Sequence, residues 1–169
     1  MSRNCPGAGL AIAHYLLRAP ARARVIGIAR TLAPLQDLRT QYGENFEFVC
    51  GDISQPGVGT EALSKAVTKF GRLSAVIVNH GVLDPVQKVS DANPQELRAL
   101  FEVNFFSALE LVSKAIRELR KTRGRVVFVS SSAAITAYVY YPPLLLFMLR
   151  SLIACVSTDW ERMARRRLR

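Results

Sequence analysis

Short apolar runs rich in β-branched residues alternate along this chain with longer segments whose apolar positions recur at helical spacing. The runs Val25–Ala29, Phe46–Cys50, Ala75–Val78 and Val126–Val129 are the candidate strands. Their alternation with helix-period segments predicts a parallel sheet covered by helices on both faces, an α/β arrangement. Between them, Leu63, Val67 and Phe70 make one helical stripe, and Phe105, Ala108, Val112, Ala115 and Leu119 a longer one. Asn93-Pro94 has the form of a helix entry leading into that long helix. Leu10–Leu17 predicts a further helix, opened by Gly7-Ala8-Gly9. No repeat or low-complexity linker interrupts residues 1–138, which read as one domain, with residues 139–169 as a tail.

The polar exceptions fall where such a sheet binds ligands, in the crevice beyond the carboxyl ends of the strands. Arg30 follows the first run, Asp52 the second, Asn79-His80-Gly81 the third and Ser130-Ser131-Ser132 the fourth.

With 169 residues, half of them apolar, the chain is large enough to bury a core, which excludes a disordered chain. The net charge of +10 is partly a tail effect, because residues 138–169 carry six Arg against Asp159 and Glu161, leaving +6 for the rest. Arg165-Arg166-Arg167 could touch nucleic acid or anionic lipid, but no nucleic-acid module precedes it and neither partner is expected. Cys5, Cys50 and Cys155 are odd in number and widely spaced, as unpaired cytoplasmic thiols are. Leu144–Val156 is apolar but follows Pro142-Pro143, is interrupted by Arg150, and falls short of the ~20 residues of a bilayer span. No metal-ligand spacing is evident.

Each candidate residue has a plain reading beside the functional one. Gly7 and Gly9 let backbone approach a pyrophosphate at a helix N-terminus, or simply make a turn. Arg30 lies about twenty residues on, where an Arg accepts the 2′-phosphate of NADP; otherwise it is a solvated cation. Asp52 is placed either to meet an adenine edge or to close an Asx turn. Asn79 and Gly81 allow tight passage past a ribose. His80 reads as a satisfied loop histidine, since no carboxylate is placed beside it by sequence, and His14, on a helix four residues from Leu10, reads as structural. Asn104 sits between Phe101 and Phe105 on an apolar stripe, where a polar group must find hydrogen bonds, as a core Asn or as a residue holding a water or backbone.

Assembled, these residues resemble the short-chain dehydrogenase/reductase family across residues 1–138. Gly7-x-Gly9 is similar to the end of its glycine-rich loop, Asp52 to its adenine-contacting Asp, and Asn79-His80-Gly81 to its N-A-G motif. Asn104 and Ser131 match the Asn and Ser of its catalytic tetrad, and Arg30 its NADP-selecting basic residue. Residues 82–87 and Asn104-Phe105-Phe106-Ser107 are similar to fungal benzil reductase-like members. The resemblance implies a Rossmann-type doubly wound parallel sheet, NADP(H) as cofactor, a small carbonyl substrate, and homo-oligomers paired through the helix bearing Asn104.

The family's mechanism also needs a Tyr, with a Lys four residues later to lower its pKa, beside the Ser that orients the carbonyl. Position 144, where the Tyr belongs, is Leu, and the residues four beyond Tyr138, Tyr140 and Tyr141 are Pro142, Leu144 and Leu145. No Tyr-x-x-x-Lys occurs in the sequence. Met1 stands where the family's first strand finishes, and from Val139 the resemblance ceases, as in an altered reading frame. The expectation is therefore an incomplete sheet lacking its first strand and C-terminal part, with exposed apolar surface. Two functional readings remain: a carbonyl reductase chain that is impaired, and a catalytically silent nucleotide-binding module.

Overall fold

The structure is a computed structural model that describes residues 7–84 and 89–130. Its elements alternate α1 (Ala8–Leu17), β1 (Val25–Ala29), α2 (Leu32–Tyr42), β2 (Phe46–Cys50), α3 (Val58–Phe70), β3 (Ala75–Val78), α4 (Pro94–Phe101), a π-helical turn (Glu102–Phe106), α5 (Ser107–Thr122) and β4 (Arg125–Phe128). The chain divides into two units, Met1–Leu73 and Ser74–Arg169.

In the first unit β1 and β2 pair in parallel, with Val25 opposite Phe46 and Ala29 opposite Cys50. Leu17, Leu35, Leu38 and Phe46 form the buried cluster, with Leu10, Ala13, Val25, Ala29, Tyr42 and Phe48 packed around it. Gly27 lets this core close, because a Cβ there would meet the Phe46 ring at 2.7 Å. The Tyr42 hydroxyl ties α2 to α1: Arg18 Nε donates to it at 3.2 Å, and it lies 2.8 Å from His14 Nδ1. With its one proton directed to His14, the hydroxyl satisfies that histidine, the structural role expected of it.

In the second unit β3 and β4 pair in parallel, Ala75 opposite Arg125 and Val78 opposite Phe128. The buried face of α5 is Ala108, Leu111, Val112, Ala115 and Leu119. Asn93 caps α4 with its Oδ1 accepting from the Gln95 amide at 2.9 Å, and Pro94 takes the first helical position, as its fixed φ allows.

Four details differ from the sequence reading. β4 begins one residue earlier, at Arg125. The buried stripe of α3 is Ala62, Ala66 and Phe70, with Leu63 and Val67 half-buried beside it. Phe105 is also half-buried, because the π-helical turn displaces it from the α5 stripe. Every residue of β1 is half-buried although its sequence is continuously apolar. Among the described residues the second edge of β1 and of β3 carries no strand. The tail, the Tyr138 boundary, Cys5, Cys155 and the apolar Leu144–Val156 run lie outside the described residues.

Candidate functional site

In the first unit the candidate residues gather at the carboxyl ends of β1 and β2. The Gly51 amide donates to Ala29 O at 2.9 Å, so the two strands end in register and release Arg30 and Asp52 at one edge. Arg30 is exposed, and among the described residues its guanidinium makes no hydrogen bond or ion pair. The Cys50 thiol faces Arg30 O at 3.7 Å. Asp52 closes an Asx turn: its Oδ1 accepts from the Ser54 amide at 2.9 Å and the Ser54 hydroxyl at 2.7 Å. That is the plain reading of Asp52 realised, and it fixes the carboxylate at the strand end.

Gly7 caps α1, its carbonyl accepting from the Leu10 amide at 2.9 Å, and Gly9 stands in the first helical turn. Among the described residues a Cβ at Gly7 would meet nothing within 4 Å, so none of them covers this N-terminus. From α1 the chain runs through residues 18–24 into β1, and Leu10, Ala13 and Leu17 of the helix pack in one cluster with Val25 and Ala29 of the strand. Open amides, glycine and an uncompensated arginine suit a phosphate-bearing group.

In the second unit Asn79 follows β3 directly, and His80, Gly81 and Val82 meet the π-helical turn and the start of α5. Asn104 Oδ1 accepts from the Val82 amide at 2.7 Å, and its Nδ2 donates to Val82 O at 2.7 Å. Both ends of the amide thus hold the backbone of one residue, which satisfies the polar group on its apolar stripe. Gly81 fits beneath it, since a Cβ would stand 3.3 Å from Asn104 Oδ1. His80 Nε2 lies 2.9 Å from the Ser107 hydroxyl, which satisfies the ring as the sequence suggested. Sequence reasoning missed Ser107 as a partner. Its signal was a small polar residue among the apolar positions of α5, but the histidine it meets is far away in sequence.

Ser130 is exposed beyond β4, whose pairing extends through the Val129 amide to Val78 O at 2.9 Å. Ser131, the candidate catalytic serine, lies outside the described residues. Among those described, no group of three or more His, Cys, Asp and Glu is placed to hold a metal ion, and no helix is long and apolar enough to cross a membrane.

Residues 4–143 match the short chain dehydrogenase family. The chain belongs to the short-chain dehydrogenase/reductase family. It is 44% identical over 139 residues to an uncharacterised oxidoreductase of Schizosaccharomyces pombe, covering 82% of this chain and 54% of that protein. It is 32% identical to an (S)-benzoin-forming benzil reductase of Saccharomyces cerevisiae over 78% of this chain and 53% of the relative. A crystal structure of a Saccharomyces cerevisiae short-chain dehydrogenase/reductase superposes with a TM-score of 0.72 at 36% identity, covering 79% of this chain and 52% of the other. The chain therefore has the Rossmann-type α/β fold and spans about half the length of the relatives it matches.

Proposed function

We propose that this chain is an NADP(H)-binding short-chain dehydrogenase/reductase unit whose family reaction is the reduction of a small carbonyl compound, and that hydride transfer is impaired in the chain itself. The observation that carries the cofactor reading is Arg30, exposed and without an anionic partner among the described residues at the carboxyl edge of β1. A 2′-phosphate is the anion that position accepts in a dinucleotide fold. The open N-terminus of α1 at Gly7 and Gly9 suits the pyrophosphate, Asp52 the adenine side, and the clamped segment from Asn79 to Gly81 the ribose. Bound NADPH supplies the hydride.

Asn104 and Ser131 are the catalytic positions in this proposal, Asn104 through the backbone it holds and Ser131 through a hydroxyl toward the substrate carbonyl. No Tyr-x-x-x-Lys accompanies them. A phenol without a neighbouring cation keeps a pKa near ~10, poorly matched to proton transfer at neutral pH. That same absence favours the second reading, a nucleotide-binding module without turnover.

The proposal extends to a cytoplasmic protein, in keeping with unpaired thiols, and to pairing of two copies through α5 and the π-helical turn before it, on which Leu109 and Phe106 respectively are exposed. Titrating the full chain with NADPH, and following NADPH oxidation with small ketones and diketones, tests it. Saturable binding with little or no turnover is expected. Turnover at an ordinary enzymatic rate would overturn the impairment, and absence of binding would overturn the cofactor reading.

A further inference from the structure

Ser107 is the polar side chain in the buried set of described residues, at 3% exposure. It sits where the π-helical turn passes into α5. There its own amide donates back to Glu102 O, one residue further than α-helical geometry would take it. The hydroxyl donates instead to Val103 O, at 2.6 Å. A hydroxyl has one proton, so toward His80 it can only accept, and the 2.9 Å contact is a bond donated by His80 Nε2–H.

The segment after β3 is thereby held twice by one short stretch of chain. The His80 side chain is fixed by Ser107, and the Val82 backbone is fixed by Asn104. Gly81 lies between the two attachments. Glycine alone ranges widely in φ and ψ, and ordering it on ligand binding is unfavourable. Anchored on both sides, it is ordered before any ligand arrives. The family's N-A-G pattern carries Ala at this position, which has no hydrogen-bonding side chain, so the second attachment belongs to this chain.

We propose that His80 is a positioning residue of the nucleotide site: through Ser107 it holds Asn79 and Gly81 in the geometry the cofactor meets. This rests on the NADP(H) reading above. The test uses the full chain and the variants His80→Leu, His80→Gln and Ser107→Ala, with Gly124→Ala as a destabilised control outside the site.

NADPH affinity measured below the unfolding transition is expected to weaken about tenfold in His80→Leu and Ser107→Ala, to weaken no further in the double variant, and to recover in His80→Gln, whose amide nitrogen replaces Nε2. Gly124→Ala is expected to lose stability without losing affinity. Wild-type affinity in His80→Leu, additive losses in the double variant, or failure of His80→Gln to restore binding would overturn the proposal.

Amide exchange separates this failure from failure of the cofactor reading. The Val82 amide is expected to exchange about five- to tenfold faster in His80→Leu than in the wild type, with or without NADPH. Unchanged exchange removes the second attachment. Faster exchange in a wild-type background that binds no NADPH keeps the attachment and removes the cofactor reading together with His80's role toward it.

Discussion

Asn104 puts both ends of its amide on the backbone of Val82, and the cost of losing either end follows from that geometry. Asn104→Asp keeps the shape and the acceptor but sets a carboxylate oxygen against Val82 O in place of the Nδ2 donor. Urea unfolding is expected to show a loss of about 1–3 kcal/mol; an unchanged midpoint and slope would mean the two bonds are not populated. Gly27 is the corresponding steric case. Its absent Cβ would stand 2.7 Å from the buried Phe46 ring and 3.3 Å from Leu35, so Gly27→Ala is expected to destabilise by about 1–3 kcal/mol in the same experiment. The sequence marked Asn104 because a polar residue on an apolar stripe must find partners, yet Val82 lies too far along the chain for that partner to be read. The Asx turn at Asp52 was legible because it closes within two residues.

At the scale of elements, α5 ends in a conformation that its residues suit unequally. Arg123 has φ 52° and ψ 39°, a left-handed cap that glycine adopts without strain, while the Gly124 amide closes the helix on Leu119 O at 2.8 Å. A Cβ at Gly124 would stand 2.7 Å from both Ser74 O and Leu119. Thermal unfolding is therefore expected to show Arg123→Gly more stable by about 0.5–1 kcal/mol and Gly124→Ala less stable.

Beside β2, Arg39 and Lys69 bracket Glu44 and Glu47: Arg39 to Glu44 at 2.7 Å, Lys69 to Glu44 at 2.8 Å and to Glu47 at 2.5 Å. Hydrogen bonds from Lys69 and Arg39 hold Glu44 below its ordinary value of 4.5, and Lys69 does the same for Glu47; Lys69 in turn is raised above 10.5 by these carboxylates. The carboxylates' contribution is present above about pH 4.5 and is lost as pH falls through their lowered folded values, while that of Lys69 is present below about pH 10.5 and is lost as pH rises through its raised one. Glu44 is largely exposed and the other three side chains remain in contact with solvent, so the effect is small and screened by salt. Lys69→Met is expected to flatten the acid fall in stability, and molar salt to do the same in the wild type.

Strands were the most legible elements, because buried parallel strands are continuous β-branched runs. Helix α2 was not singled out: Leu35, Leu38 and Tyr42 carry its stripe, but Pro34 in its first turn masks a helix that tolerates proline only there. The π-helical turn has no sequence signal of its own, since a one-residue widening changes hydrogen-bond partners and not the apolar pattern.

For the whole molecule, the two parallel strand pairs explain why the apolar sequence of β1 is only half-buried and why Val127 and Val129 of the β4 segment remain 47% and 41% exposed. Family and fold could be read from the order and spacing of short polar segments after each strand, because those segments stand at the edge where such folds bind nucleotides. Activity could not be read the same way, because it depends on a Tyr and Lys that the sequence does not place.

The central claim is that this chain binds a dinucleotide carrying a 2′-phosphate, and a titration of the folded chain with NADPH and NADH in parallel tests it most directly. One saturable site is expected, with NADPH bound about ten- to a hundredfold more tightly than NADH and that preference abolished in Arg30→Ala. Equal affinity for the two cofactors, or a preference that survives Arg30→Ala, would contradict it.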